Sequence, residues 1–126
     1  MRTLFTVVAL LMVMLGTSWL FFPEAVLQSW SVQPDPSVVY VGRRYGVLLF
    51  GYAVILWQSR ASHSSSARSA ILAGGLVATG LMAIMSLIGV LSGVVGPAAW
   101  SAVVVEAVLA LAFAYSYFAA GKARHE

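Results

Sequence analysis

The chain has 126 residues, of which 61% are hydrophobic and only 9% are charged. Because a soluble domain carries roughly a quarter charged residues, this composition excludes an ordinary soluble domain and indicates a membrane protein. The formal net charge of +3 does not indicate a nucleic-acid partner, since the basic residues are dispersed beside apolar segments, as membrane-flanking charges are.

Four apolar segments have the length that a helix needs to cross a bilayer, about 20 residues for a hydrocarbon core of roughly 30 Å. These segments cover residues 3–22, 36–57, 70–91 and 98–120. We interpret the first as an uncleaved anchor, because no small-x-small cleavage site follows cleanly and the apolar run continues through Trp19 to Phe22. The pattern predicts an all-α fold, a four-transmembrane-helix bundle that forms one integral membrane domain over residues 1–126.

The longest connection between the predicted spans precedes the second one. In it, Pro23 to Trp30 is predicted to form a short interfacial helix whose apolar side chains, Leu27 among them, could dip into the lipid boundary. Asp35 followed by Pro36 is a favourable helix start, since aspartate can cap free backbone amides and proline tolerates the first helical position. Two further connections are predicted, a solvated serine-rich loop over residues 58–69 and a tight turn over residues 93–97.

The charges flanking the spans predict an orientation. One side of the membrane receives the bases Arg2, Arg60, Arg68, Lys122 and Arg124. The other side receives the acids Glu24 and Asp35 and no base outside the apolar segments. By the positive-inside rule, both termini and the 58–69 loop are expected in the cytoplasm, which describes a multi-pass protein of a bacterial inner membrane.

Glu106 lies in the middle of the fourth apolar segment, where a carboxylate is costly and is usually paired or functional. Arg43 and Arg44 lie about 10–12 Å into the second span, and Glu106 lies about 12 Å into the fourth, measured from the same face of the membrane. Thr17, Ser18 and Ser86 are expected in the same outer half. The sequence therefore predicts a polar layer to which all four helices contribute.

Small residues indicate where helices can approach one another closely. Gly42 and Gly46 bracket the two arginines, and Gly89 and Gly93 repeat the same spacing near the end of the third span. On the fourth span, a stripe at helical spacing is predicted to face its neighbours together with Glu106. Its members are Ala99, Ala102, Val103, Ala110, Phe113 and Tyr117.

Two interpretations of the polar layer stay open. In the first, Glu106 forms a structural ion pair with Arg43 or Arg44 that fixes the register of the helices. In the second, the layer is a binding or proton-handling site that opens outward, where Glu106 holds a proton and one arginine grips an anionic or carbonyl group. The sequence does not choose which arginine faces Glu106.

Other chemistry finds little support in the sequence. The absence of cysteine excludes disulfides, thiolate metal ligands and thiol redox catalysis by this chain. His63 and His125 lie in a polar loop and in the tail, so we expect no metal site. Glu106 is the only acid within a predicted span, which sets two-carboxylate catalysis aside. We expect no catalytic residue and no cofactor.

Three stretches resemble a group of small bacterial four-pass membrane proteins of unknown function that is similar in architecture to the DoxX-like proteins. They read FFPEAVLQSW at 21–30, VGRRYGVLLFGYAVILW at 41–57 and WSAVVVEAVLALAFAYSYF at 100–118. The resemblance implies that Arg43, Arg44 and Glu106 are the residues of interest. DoxX-like relatives have been linked to quinone-coupled oxidation.

Three classes of function follow. The favoured one is a non-catalytic inner-membrane protein that binds a lipid, a quinone or a partner subunit through the outer polar layer. The alternatives are a membrane oxidoreductase subunit and a small oligomeric transporter, both using Glu106 with Arg43 and Arg44. The expected partners are membrane lipid, a hydrophobic small molecule, and further copies of the chain or a larger membrane complex.

Overall fold

The structure, a computed structural model, describes residues 1–62 and 65–122. In those ranges the chain contains helices and no strand, which confirms the all-α prediction. The elements are α1 (Arg2–Phe21), α2 (Pro23–Ser29), α3 (Pro36–Ser59), α4 (Ser65–Leu91), a 3₁₀ helix (Pro97–Ala99) and α5 (Trp100–Lys122). Four helices are long and apolar enough to cross a membrane, namely α1, α3, α4 and the continuous segment Pro97–Lys122.

Three of the four long helical segments extend beyond the apolar segments that predicted them, and α1 is displaced from its predicted segment by one residue. The largest difference is at α4, which begins at Ser65 rather than at residue 70, so the predicted 58–69 loop is shorter than expected. The length of an apolar segment is set by the thickness of the hydrocarbon core. A helix can continue beyond that core into water through residues such as serine, alanine and arginine. His63 and His125 lie outside the described residues.

By its internal contacts the chain divides into two compact units, Met1–Ala61 and Ser62–Glu126. The first unit contains α1, α2 and α3, and the second contains α4, the 3₁₀ helix and α5. Each unit is built around one pair of long helices joined by a connection. The prediction of a single domain over residues 1–126 stays a prediction.

In the first unit, α1 and α3 run antiparallel and touch backbone to backbone. A Cβ atom placed on Gly46 would lie 2.9 Å from the carbonyl oxygen of Gly16 and 3.0 Å from the backbone nitrogen of Leu20. Gly42 also has no room for a side chain, because a Cβ there would lie 2.8 Å from the ring of Trp19. The predicted close-packing role of Gly42 and Gly46 is therefore confirmed, with α1 as the neighbour.

The short helix α2 closes one end of this pair. Trp19 makes edge-to-face contacts with Trp30 at 5.8 Å and with Tyr45 at 5.7 Å between ring centroids. Leu27 was predicted to dip into the lipid boundary. It is only 4% exposed in the structure, so it packs against the protein instead. After α2 the chain turns through Ser31, whose φ of 59° is in the left-handed region.

Asp35 caps the start of α3 as predicted. Its Oδ1 accepts hydrogen bonds from the backbone N–H groups of Ser37 at 2.9 Å and Val38 at 3.3 Å. Hydrogen bonds from the side chain of Ser37 and from the backbones of Val38 and Ser37 lower the pKa of the Asp35 carboxyl. The cap satisfies amides that the helix leaves without an internal partner.

Because the folded-state pKa of Asp35 is lowered, its stabilising contribution is present above the ordinary carboxyl pKa and is lost as pH falls through the lowered value. We expect Asp35→Ala to lower the thermal midpoint at neutral pH, and Asp35→Asn to retain most of the cap. Circular dichroism melts at neutral and acidic pH test this. A stability difference between wild type and Asp35→Asn that does not shrink on acidification would contradict it.

A large aromatic side chain packs at the contact between the two long helices of the second unit. Phe113 on α5 is 0% exposed and fills a notch at Gly75 on α4, where a Cβ would lie 2.6 Å from the ring. Gly93 does not mark a helix contact, because it lies after the end of α4 with a φ of 72°. The N–H of Val94 donates to the carbonyl of Gly89 at 3.0 Å, which ends the helix in a glycine cap. Among the described residues, a Cβ at Gly89 would meet only the side chain of Val95, at 3.4 Å, and a Cβ at Gly93 would meet nothing within 4 Å, so no close helix contact is seen at either glycine. The predicted turn is confirmed.

Candidate functional site

Two of the residues singled out in the sequence meet across the helix pair of the second unit. The hydroxyl of Ser86 on α4 donates a hydrogen bond of 2.6 Å to Oε2 of Glu106 on α5. Both side chains are half-buried. The carboxylate is thus held against the neighbouring helix rather than pointing freely outward.

Glu106 lies on the packed face of α5. The buried residues on this side are Leu109 and Phe113 of α5 and Ala99 at the end of the preceding 3₁₀ helix. Glu106 lies seven residues after Ala99, three before Leu109 and seven before Phe113, which are the spacings of one helical stripe. Ala99 and Phe113 were predicted on this stripe, and Leu109 was not. Its position three residues after Glu106 is the signal that could have identified it.

Thr17 and Ser18 have local hydrogen-bond partners. The Thr17 hydroxyl donates to the carbonyl of Val13 at 2.8 Å, and the Ser18 hydroxyl donates to the carbonyl of Met14 at 3.0 Å. Such bonds back to the preceding turn satisfy a hydroxyl without any partner from another helix. Both hydroxyls therefore have a hydrogen-bond partner within α1 itself.

The two arginines lie on α3 in the first unit. Both are exposed, and the guanidinium carbon of Arg44 lies 5.9 Å from the ring centroid of Tyr40, one helical turn earlier. A guanidinium over an aromatic face gains a modest attraction to it. That Arg43 or Arg44 forms an ion pair with Glu106 stays a prediction from the sequence.

The arrangement at Glu106 can make hydrogen bonds or neutralise a cation. Its bond to Ser86 engages Oε2, and a carboxylate has several further acceptor positions. Ionised, it could accept from an N–H or O–H group or pair with a positive charge; protonated, it could donate to a carbonyl oxygen. Among residues 1–62 and 65–122, no group of three or more histidines or acids is placed to hold a metal ion.

Residues 1–118 match the family described as a domain of unknown function, DUF8292. No curated protein matches the chain, and no solved structure does. The matched range begins before α1 and reaches into the last turns of α5, so it includes Ser86 and Glu106. The chain therefore belongs to the DUF8292 family.

Proposed function

We propose that this chain is a small, non-catalytic membrane protein that binds a lipid, a quinone or a partner subunit through Glu106. The observation that carries the proposal is the hydrogen bond of 2.6 Å from Ser86 to Glu106. It supports a carboxyl group that is oriented in advance, at a position where an unpaired charge would be costly. A partner that supplies the remaining hydrogen bonds would offset that cost.

The setting of this site is also part of the proposal. The chain lies in a bacterial inner membrane with both termini in the cytoplasm, as its flanking bases favour. In that orientation Glu106 lies in the outer half of the membrane. A DoxX-like architecture agrees with four membrane-capable helices and with a quinone as one candidate ligand.

Native mass spectrometry of gently extracted protein tests the proposal. We expect wild type to retain a small molecule or partner of defined mass and Glu106→Gln to lose it. Ser86→Ala should reduce the retained fraction by about tenfold, because a hydrogen bond to a charged group contributes about 1.5–3 kcal/mol. Ser101→Ala is the matched control, since the Ser101 hydroxyl donates to the Ala98 carbonyl of the adjoining 3₁₀ helix and not to another long helix.

The ion-pair interpretation predicts a different outcome. If Glu106 serves only to pair with an arginine, wild type and Glu106→Gln both appear as bare protein in the spectra. In that case Arg44→Gln and Glu106→Gln each destabilise, and the double variant recovers part of the loss. The same cycle with Arg43→Gln identifies the partner. Bare wild-type protein with a recovering double variant would overturn the binding proposal.

A further inference from the structure

An apolar groove runs between α1 and α3 in the first unit, away from the glycine contact at Gly16 and Gly46. Its volume is about 320 Å³. Ala9 and Ala53, which are 2% and 3% exposed, form its floor. Their side chains are too small to fill the space between the two helices. The other lining residues are Leu10, Val13, Phe50, Val54, Trp57 and one polar residue, Gln58.

A cation lies beside this groove. The guanidinium carbon of Arg60, the residue that caps the end of α3, lies 3.4 Å from the ring centroid of the lining residue Trp57. The Nη1 atom of Arg60 is buried and has no hydrogen-bond partner among the described residues. Stacking on the indole orients the guanidinium but leaves hydrogen-bonding capacity unused.

The first unit has no acid near this cation. Its two acids are Glu24 on α2 and Asp35 at the start of α3. Since α3 rises about 1.5 Å per residue, Asp35 lies roughly 38 Å from Arg60 along the helix. Arg2, at the start of α1, adds a second positive charge at the Arg60 end, because the two helices are antiparallel. This end of the unit thus combines an apolar groove with an excess of positive charge.

We infer that the groove binds one acyl chain of an anionic phospholipid, with the lipid phosphate held by Arg60. The lining, which is apolar except for Gln58, fits a hydrocarbon chain. The volume is at the lower end of the range of about 300–1,000 Å³ found for small-molecule sites. A guanidinium presents paired donors that match phosphate oxygens, and a tryptophan beside it is typical of the membrane interface. Basic sites on the cytoplasmic side of membrane helices bind anionic head groups in this way. This site lies in the first unit and does not rest on the function proposed for Glu106.

The test uses the full chain in detergent with an equimolar mixture of phosphatidylglycerol and phosphatidylcholine that carry identical acyl chains. Native mass spectrometry counts the lipid bound from each class. We expect wild type to prefer phosphatidylglycerol by about fivefold, the preference that one basic residue near a head group provides. Arg60→Gln should remove most of this preference and leave only what the charge of Arg2 contributes, whereas Arg60→Lys should keep a larger part of it. Glu106→Gln should leave it unchanged.

A second pair of variants tests the groove itself. Val54→Trp places an indole in the groove and should reduce retention of both lipids several-fold. Val47→Trp is the matched control, because Val47 and Val54 are both 57% exposed on α3 and only Val54 lines the groove. Equal retention of the two lipids by wild type would overturn the inference, as would equal loss in Val47→Trp and Val54→Trp. An undiminished preference in folded Arg60→Gln would overturn the assignment of the phosphate to Arg60.

Discussion

Replacing Gly46 by leucine is expected to reduce the free energy of unfolding by about 3 kcal/mol, because the new side chain would have to occupy space held by backbone atoms. The nearest atoms to a Cβ at this position are the Gly16 carbonyl oxygen at 2.9 Å and the Leu20 nitrogen at 3.0 Å. Backbone atoms cannot rotate aside as a flexible side chain can. Leucine therefore forces α1 and α3 apart over the whole contact. Unfolding by dodecyl sulfate in mixed micelles, followed by circular dichroism, measures the loss.

Gly51→Leu is the matched control for this prediction. Gly51 lies on the same helix, and nothing lies within 4 Å of a Cβ built there. Leucine has a higher helix propensity than glycine, so this variant should be neutral or slightly stabilising. Equal destabilisation by Gly46→Leu and Gly51→Leu would show that the loss comes from leucine in this helix rather than from the contact with α1.

The number and extent of the long helices could be predicted because the bilayer imposes a length on each apolar segment. The sequence was a much poorer guide to which face of each helix packs against a neighbour. Ile55 and Leu56 are adjacent and equally apolar, yet Ile55 is 52% exposed and Leu56 is 0% exposed. Lipid is as apolar as a helix neighbour, so hydrophobicity does not separate the two environments. At Gly42 and Gly46 the spacing of the glycines did predict the packed face, because this contact requires small residues.

The candidate site could be predicted in part for a related reason. Helix rise alone placed Ser86 and Glu106 in one layer, and the structure shows a hydrogen bond between them. The same reasoning could not tell whether a hydroxyl bonds to another helix or to its own. Thr17 and Ser18 bond to carbonyls of α1, and Thr79 donates to the carbonyl of Gly75 on its own helix at 2.7 Å. The choice depends on rotamers and on the distance to the neighbouring helix, neither of which the sequence specifies.

Replacing Phe113 by alanine is expected to cost about 3–5 kcal/mol of unfolding free energy, the largest effect of any side-chain truncation proposed for this chain. The ring is 0% exposed and occupies the notch that Gly75 leaves on α4. Gly75→Ala alone should also destabilise, by about 1–3 kcal/mol, because its Cβ would lie 2.6 Å from the ring. Gly74→Ala is the control, since a Cβ at Gly74 has nothing within 4 Å.

The two substitutions should not add. In Phe113→Ala the ring that obstructs a Cβ at Gly75 is gone, so Gly75→Ala then places a methyl group into the cavity instead of into an occupied notch. The double variant should be less destabilised than the sum of the single ones, and additive losses would contradict the contact. Glu106 lies about two turns before Phe113 on the same stripe of α5. If that packing holds the carboxylate against Ser86, Phe113→Ala should also reduce the ligand retained through Glu106, even though Phe113 is not the hydrogen-bonding group.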